Sequence, residues 1–106
     1  MELKRGGVYL ANLGAENTDP KYWIVVSSNL RNNTFKDALA IRVTTTDKYA
    51  DLPSVEKLPD GECIHGYVRA DTLTTIYGDE PTKSVGGLSV TAMKRVESAL
   101  RGALDL

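Results

Sequence analysis

The two side chains that titrate or react nearest neutral pH, imidazole and thiol, occur once each in this sequence, and that already narrows its chemistry. His65 is the one histidine, which excludes a two-histidine ribonuclease, a His-rich metal site and any mechanism needing separate imidazole acid and base. Cys63 is the one thiol, so neither an internal disulfide nor a thiolate metal cage can form. Cations, hydroxyls and carboxylates remain. Lys21, Arg31, Lys36, Arg42 and Lys48 border the loops around the second and third apolar segments. That spacing suits a groove that tracks phosphates, and it equally suits an ordinary solvated surface. Tyr22 and Trp23 interleave with these cations. Exposed aromatic rings stack single-stranded bases for about 1–3 kcal/mol each, although a tryptophan inside an apolar strand more often belongs to a core.

The charge balance limits how such a groove is built. Net charge over the 106 residues is −1, which excludes a uniformly basic nucleic-acid binder and leaves only a local patch. Residues 1–48 hold seven Lys/Arg against five Asp/Glu, while residues 49–106 hold six against nine, so any positive patch draws on the first half. No apolar run approaches the roughly 18 residues of a membrane helix, and no secretory signal opens the chain. These features lead us to expect one cytoplasmic, cofactor-free domain over residues 1–106, without membrane contact.

The elements that must position these residues are mostly strands. Val8–Leu13, after the Gly6-Gly7 turn signal, reads as the first, and Tyr22–Ser28 as a central strand covered on both faces. Residues 29–36 read as a polar connection with room for one short helical turn. Ala38–Thr45 is a third strand with Leu39, Ile41 and Val43 on one face, and Arg42 turned from them toward solvent or a groove. Residues 53–57 read as a short edge strand, and Cys63–Asp71 as another that continues past a bend into Leu73–Tyr77. Ser89 then caps an amphipathic helix with Val90, Met93, Val96, Leu100 and Leu104 on its apolar stripe, where Gly102 weakens the last turn by about 1 kcal/mol relative to alanine. About five strands and one helix predict a mainly β, α+β domain: a small twisted antiparallel sheet or half-barrel with the helix packed on it.

Taken in order, the landmarks resemble the MazF/PemK family, the toxin halves of bacterial type II toxin–antitoxin pairs. Lys4-Arg5-Gly6-Gly7-Val8-Tyr9 is similar to that family's opening Arg-Gly-Asp-Val-Tyr. Gly14-Ala15-Glu16-Asn17 followed by Lys21 resembles its Gly-Ser-Glu-Gln loop and the Arg-Pro that ends it. Lys21-Tyr22-Trp23 departs from Arg-Pro and is similar to a branch with Lys-x-Trp. Ile24–Asn29, Asn32-Asn33-Thr34, Val43-Thr44-Thr45, Gly66–Ile76 and the closing Leu88–Leu106 match further family landmarks, so the resemblance spans the chain.

The resemblance implies an SH3-like MazF/CcdB fold and a sequence-specific, metal-independent endoribonuclease acting on single-stranded RNA. The RNA's 2′-hydroxyl would attack the adjacent phosphate, giving a 2′,3′-cyclic phosphate and a 5′-hydroxyl. Lys21 then takes the place of the cation at the phosphate, without the bidentate fork of arginine. Thr44 stands where the family has a functional threonine, a position that a β-branched strand residue also fills for structural reasons. Glu16 occupies the place of the loop glutamate, a general base or simply a solvated carboxylate. Asn17, Tyr22, Trp23, Asn32, Arg42 and Lys48 are the candidates for contacting RNA, and no metal ligand set is expected. His65 matches no functional family position and reads as structural or superficial. Implied partners are a MazE-like antitoxin with an acidic disordered tail and a second copy of the chain, since a domain this small leaves apolar faces a twofold interface could cover.

Two alternatives share the scaffold. A CcdB-like gyrase poison binds its target through a terminal Trp-Gly-Ile, whereas this chain ends Leu104-Asp105-Leu106 and has its one tryptophan at position 23. A catalytically impaired RNA- or antitoxin-binding homologue is the other.

Overall fold

Residues 1–14 and 19–106 are described by the computed structural model. Along them run β1 (Gly7–Ala11), β2 (Lys21–Val25), α1 (Asn29–Phe35), β3 (Asp37–Thr44), β4 (Val55–Lys57), β5 (Tyr67–Tyr77), β6 (Pro81–Gly87) and α2 (Val90–Leu104). The strands form one antiparallel sheet ordered β4-β5-β3-β2-β1-β6, which does not close into a barrel.

Period-two alternation divides the apolar residues between two faces. Val8, Ile24, Ile41, Val43, Val68 and Ala70 pack on the face that carries α2, whose Ala92, Val96 and Ala99 are buried against it. Tyr9, Ala11, Trp23, Val25, Ala38, Ala40 and Ile76 form a second cluster with Leu3 on the other face. Burial on both faces is why the centre of β2 reads as an unbroken apolar run.

Three expectations are revised. The segment after β2 is a helix of seven residues, because Ser28 accepts a hydrogen bond from the Arg31 N–H and Lys36 closes the end in a left-handed conformation (φ 61°). Residues 81–87, where Val85 stands alone among polar residues and turn signals, are the edge strand β6, held by pairing with β1. On α2 the buried stripe is Ala92, Val96 and Ala99, whereas Val90 and Leu104 are exposed. Alanines let the helix axis approach the sheet, and Gly102 serves the same end: a Cβ there would collide with the Pro53 carbonyl.

β5 carries the feature that matters most for the site. Ala40 pairs with Thr74 but Arg42 with Arg69, so Ile41 alone faces the four residues Ala70–Leu73. Thr72 closes this bulge: its hydroxyl accepts from the Arg42 N–H at 2.8 Å and donates to the Arg69 carbonyl at 2.6 Å.

Candidate functional site

β2 begins and β3 ends at the same end of the sheet. Their register pairs Trp23 with Arg42 and Tyr22 with Val43, and the next residue along each strand past that last pair is Lys21 on β2 and Thr44 on β3. Beyond Thr44 lies Tyr67 of β5, and beyond Lys21 lies Ala11 of β1. Cross-strand partners share a face, so Lys21, Thr44 and Tyr67 project on the same side as Trp23 and Arg42, away from α2. Lys21 and Thr44 are both half-buried. The Thr44 hydroxyl oxygen accepts a long 3.4 Å bond from the Thr46 N–H, which leaves its own proton to donate. Gly66 fixes the end of β3 from below: with φ +135° it lies so close that a Cβ would stand 2.5 Å from the Thr44 carbonyl oxygen.

One row further in, Trp23, Arg42 and Arg69 stand in register across β2, β3 and β5. The Arg42 Nε is buried without a hydrogen-bond partner among the described residues. Arg69 grips Asp71 with two bonds, Nη2 to Oδ2 at 2.6 Å and Nε to Oδ1 at 3.3 Å, which push its pKa up. The Tyr49 ring lies 4.9 Å from the Arg69 guanidinium carbon and 5.4 Å from the Lys48 Nζ, so the loop after β3 brings another cation and an aromatic ring to this row.

The cations named from the sequence therefore divide. Lys21, Arg42 and Lys48 gather near one end of the sheet, while Arg31 pairs with Asp37 at 2.7 Å and Lys36 caps α1 at the other. Arg69 joins the first group only through the β5 bulge, which no local pattern announces. Two RNA-contact expectations are corrected. Trp23 is 8% exposed and its Nε1 donates to the Ala11 carbonyl, so its ring is core rather than a free stacking surface. Asn32 is buried at the far end, where the Ser27 hydroxyl donates to its Oδ1 at 2.5 Å and its Nδ2 donates to the Ser27 carbonyl; its amide locks α1 to the sheet. Tyr22 is exposed, on the α2 side of β2. Glu16 and Asn17 lie outside the described residues. Among the described residues no three His, Cys, Asp or Glu side chains converge as metal ligands.

A half-buried ammonium facing a hydroxyl, backed by arginines, is an arrangement for holding a phosphodiester. Residues 4–104 match the family of PemK-like, MazF-like toxins of type II toxin–antitoxin systems. The chain belongs to that family. Named toxins are among its relatives: Endoribonuclease MazF4 of Mycobacterium tuberculosis is 34% identical over 102 residues, 96% of this chain and 92% of the relative. Endoribonuclease MazF1 of Mycobacterium bovis matches equally. A solved mycobacterial endoribonuclease in complex with its cognate antitoxin superposes at a TM-score of 0.87 with 34% identity, over 97% of this chain and 95% of that one. MazF of Deinococcus radiodurans, 19% identical, shares the fold at a TM-score of 0.79 across 100% of this chain and 99% of its own. No helix among the described residues of this MazF-like chain is long and apolar enough to cross a membrane.

Proposed function

We propose that this MazF-family endoribonuclease toxin cleaves single-stranded RNA sequence-specifically and without a metal ion, at a phosphate held between Lys21 and Thr44. The observation that supports the reading is the placement of both side chains on one face at the adjoining ends of β2 and β3. The 2′-hydroxyl attacks phosphorus and the bond to the 5′-oxygen breaks, leaving a 2′,3′-cyclic phosphate and a 5′-hydroxyl. The Lys21 ammonium neutralises one non-bridging oxygen, and the Thr44 hydroxyl donates to the same group. Glu16 takes the proton of the attacking hydroxyl, and the leaving oxygen is protonated from the Lys21 side. Arg42 and Lys48 hold flanking phosphates, and Tyr22 contacts a base. With lysine and arginine supplying the positive charge, the chemistry requires no Lewis acid.

The working unit is a homodimer, supported by the exposed apolar side chains Leu30, Phe35 and Tyr77 around α1 and the end of β5. Its regulator is a cognate antitoxin, as in the solved mycobacterial relative. Lys21→Ala is expected to abolish cleavage of a long RNA in EDTA, with circular dichroism and native mass unchanged. Site-specific cuts with 5′-hydroxyl ends by the wild type carry the proposal. Full activity in the variant overturns the role of Lys21, and activity that EDTA removes overturns the metal-free mechanism.

A further inference from the structure

Where β2 begins and β3 ends, a cavity of about 250 Å³ opens on the α2 side of the sheet, lined among others by Tyr22, Val43, Thr45, Ile64, His65 and Val85. Tyr22 and Val43 are cross-strand partners, and each neighbours a member of the Lys21–Thr44 pair along the chain. The pleat sends successive side chains to opposite faces, so cavity and phosphate site occupy the two sides of one strand-pair end. Val43 is buried and forms the floor with the partly buried Ile64 and Val85, whereas Tyr22, Thr45 and His65 are exposed at the mouth.

The chemistry of this lining selects its occupant. None of these six side chains is a lysine or arginine, so a second phosphate gains nothing there. A volume below the roughly 300–1,000 Å³ of drug-sized sites suits a single flat heterocycle. Tyr22 and His65 offer aromatic faces, and the Thr45 hydroxyl, Tyr22 phenol and His65 imidazole offer donors and acceptors for a base edge. We infer that this cavity seats one nucleobase of the RNA substrate, that of a nucleotide adjoining the cleaved phosphate, so that Tyr22, Thr45 and His65 determine base preference at that position. The inference rests on the ribonuclease reading above and adds His65 and Thr45 to the residues that meet RNA.

Because His65 is the single histidine, its imidazole C–H signals report on the cavity in the wild-type protein without mutation. The probe is an oligonucleotide carrying the mapped cut, with 2′-deoxyribose before the scissile phosphate so that it binds uncut. The imidazole signals are expected to shift on saturation. Making one nucleotide beside the cut abasic is expected to return them to their free positions and weaken binding at least tenfold. In sequencing of cut ends, His65→Ala and Thr45→Val should lose the base preference at that one position while still cutting. Unmoved imidazole signals at saturation, an equal shift with every abasic RNA, or unchanged preference in both variants overturns the inference and leaves the Lys21–Thr44 reading intact. Failure of the wild type to cut any RNA instead overturns the ribonuclease reading, and this inference with it.

Discussion

Arg42 and Arg69 stand directly opposite one another on β3 and β5, yet Arg69 holds the Asp71 carboxylate while the Arg42 Nε is buried without a partner among the described residues. Like charges in cross-strand register are destabilising, and an unsatisfied buried donor costs about 1–3 kcal/mol. A phosphate bound at the exposed end of the pair would offset the like-charge repulsion. Arg42→Met keeps the aliphatic stem and removes the charge. We expect it to weaken binding of an uncleavable RNA and to reduce the slope of log affinity against log salt by about 0.7, the contribution of one single-strand phosphate contact. Anisotropy titrations across a salt series measure this, and an unchanged slope removes Arg42 from the phosphate path.

Gly66 should prove a positioning residue. Its φ of +135° and its approach to the Thr44 carbonyl leave no room for a methyl group. Gly66→Ala is expected to cost about 1–3 kcal/mol in urea unfolding, because the end of β3 must move. Cleavage at a temperature where the variant remains folded should fall at least tenfold with RNA affinity less affected, as Thr44 leaves its place. A variant that is destabilised but cleaves at the wild-type rate would separate the glycine from the site.

Gly102 offers a test of sign. Helix propensity alone predicts that alanine there stabilises by about 1 kcal/mol. The contact of α2 with the Pro53 carbonyl predicts the reverse, since the new Cβ would force helix and loop apart. We expect Gly102→Ala to lower the melting temperature.

Glu62 ties the α2 N-terminus to the loop before β5, accepting from the Ser89 N–H at 2.9 Å and the Ser89 hydroxyl at 2.7 Å. These bonds, the hydroxyl first, hold its carboxyl below the ordinary value of 4.5. A folded-state pKa lower than the unfolded one means that the native protein binds fewer protons, so the contribution is present above that ordinary value and lost as pH falls through the folded pKa. Glu62→Gln should lower stability at neutral pH, and the gap to wild type should close on acidification. Denaturant melts along a pH series report it, and a gap independent of pH would refute the linkage.

Local physics made much of the fold legible. Runs of branched and aromatic residues marked β1 and β2, period two marked β3, and Ser89 marked the start of α2. β6 escaped because its polar residues are strand only through pairing with β1, and α1 because its N-cap, Ser28, ends an apolar run. At the site, Lys21 and Thr44 were named through the family resemblance, but Arg69 and Tyr49 were not, since a bulge and a loop place them.

By itself, the sequence determined the excluded chemistries, most strands and the closing helix, which are consequences of composition, order and short-range periodicity. The family and the pair of residues at the proposed phosphate site came from the resemblance of its landmarks, taken in order, to a known family. Only the tertiary structure decided that Trp23 and Asn32 are internal, that Arg42 meets Arg69, and that His65 lines a cavity behind Lys21 and Thr44. The reason is that burial and cross-strand proximity depend on register, and register depends on which faces of distant segments are covered together.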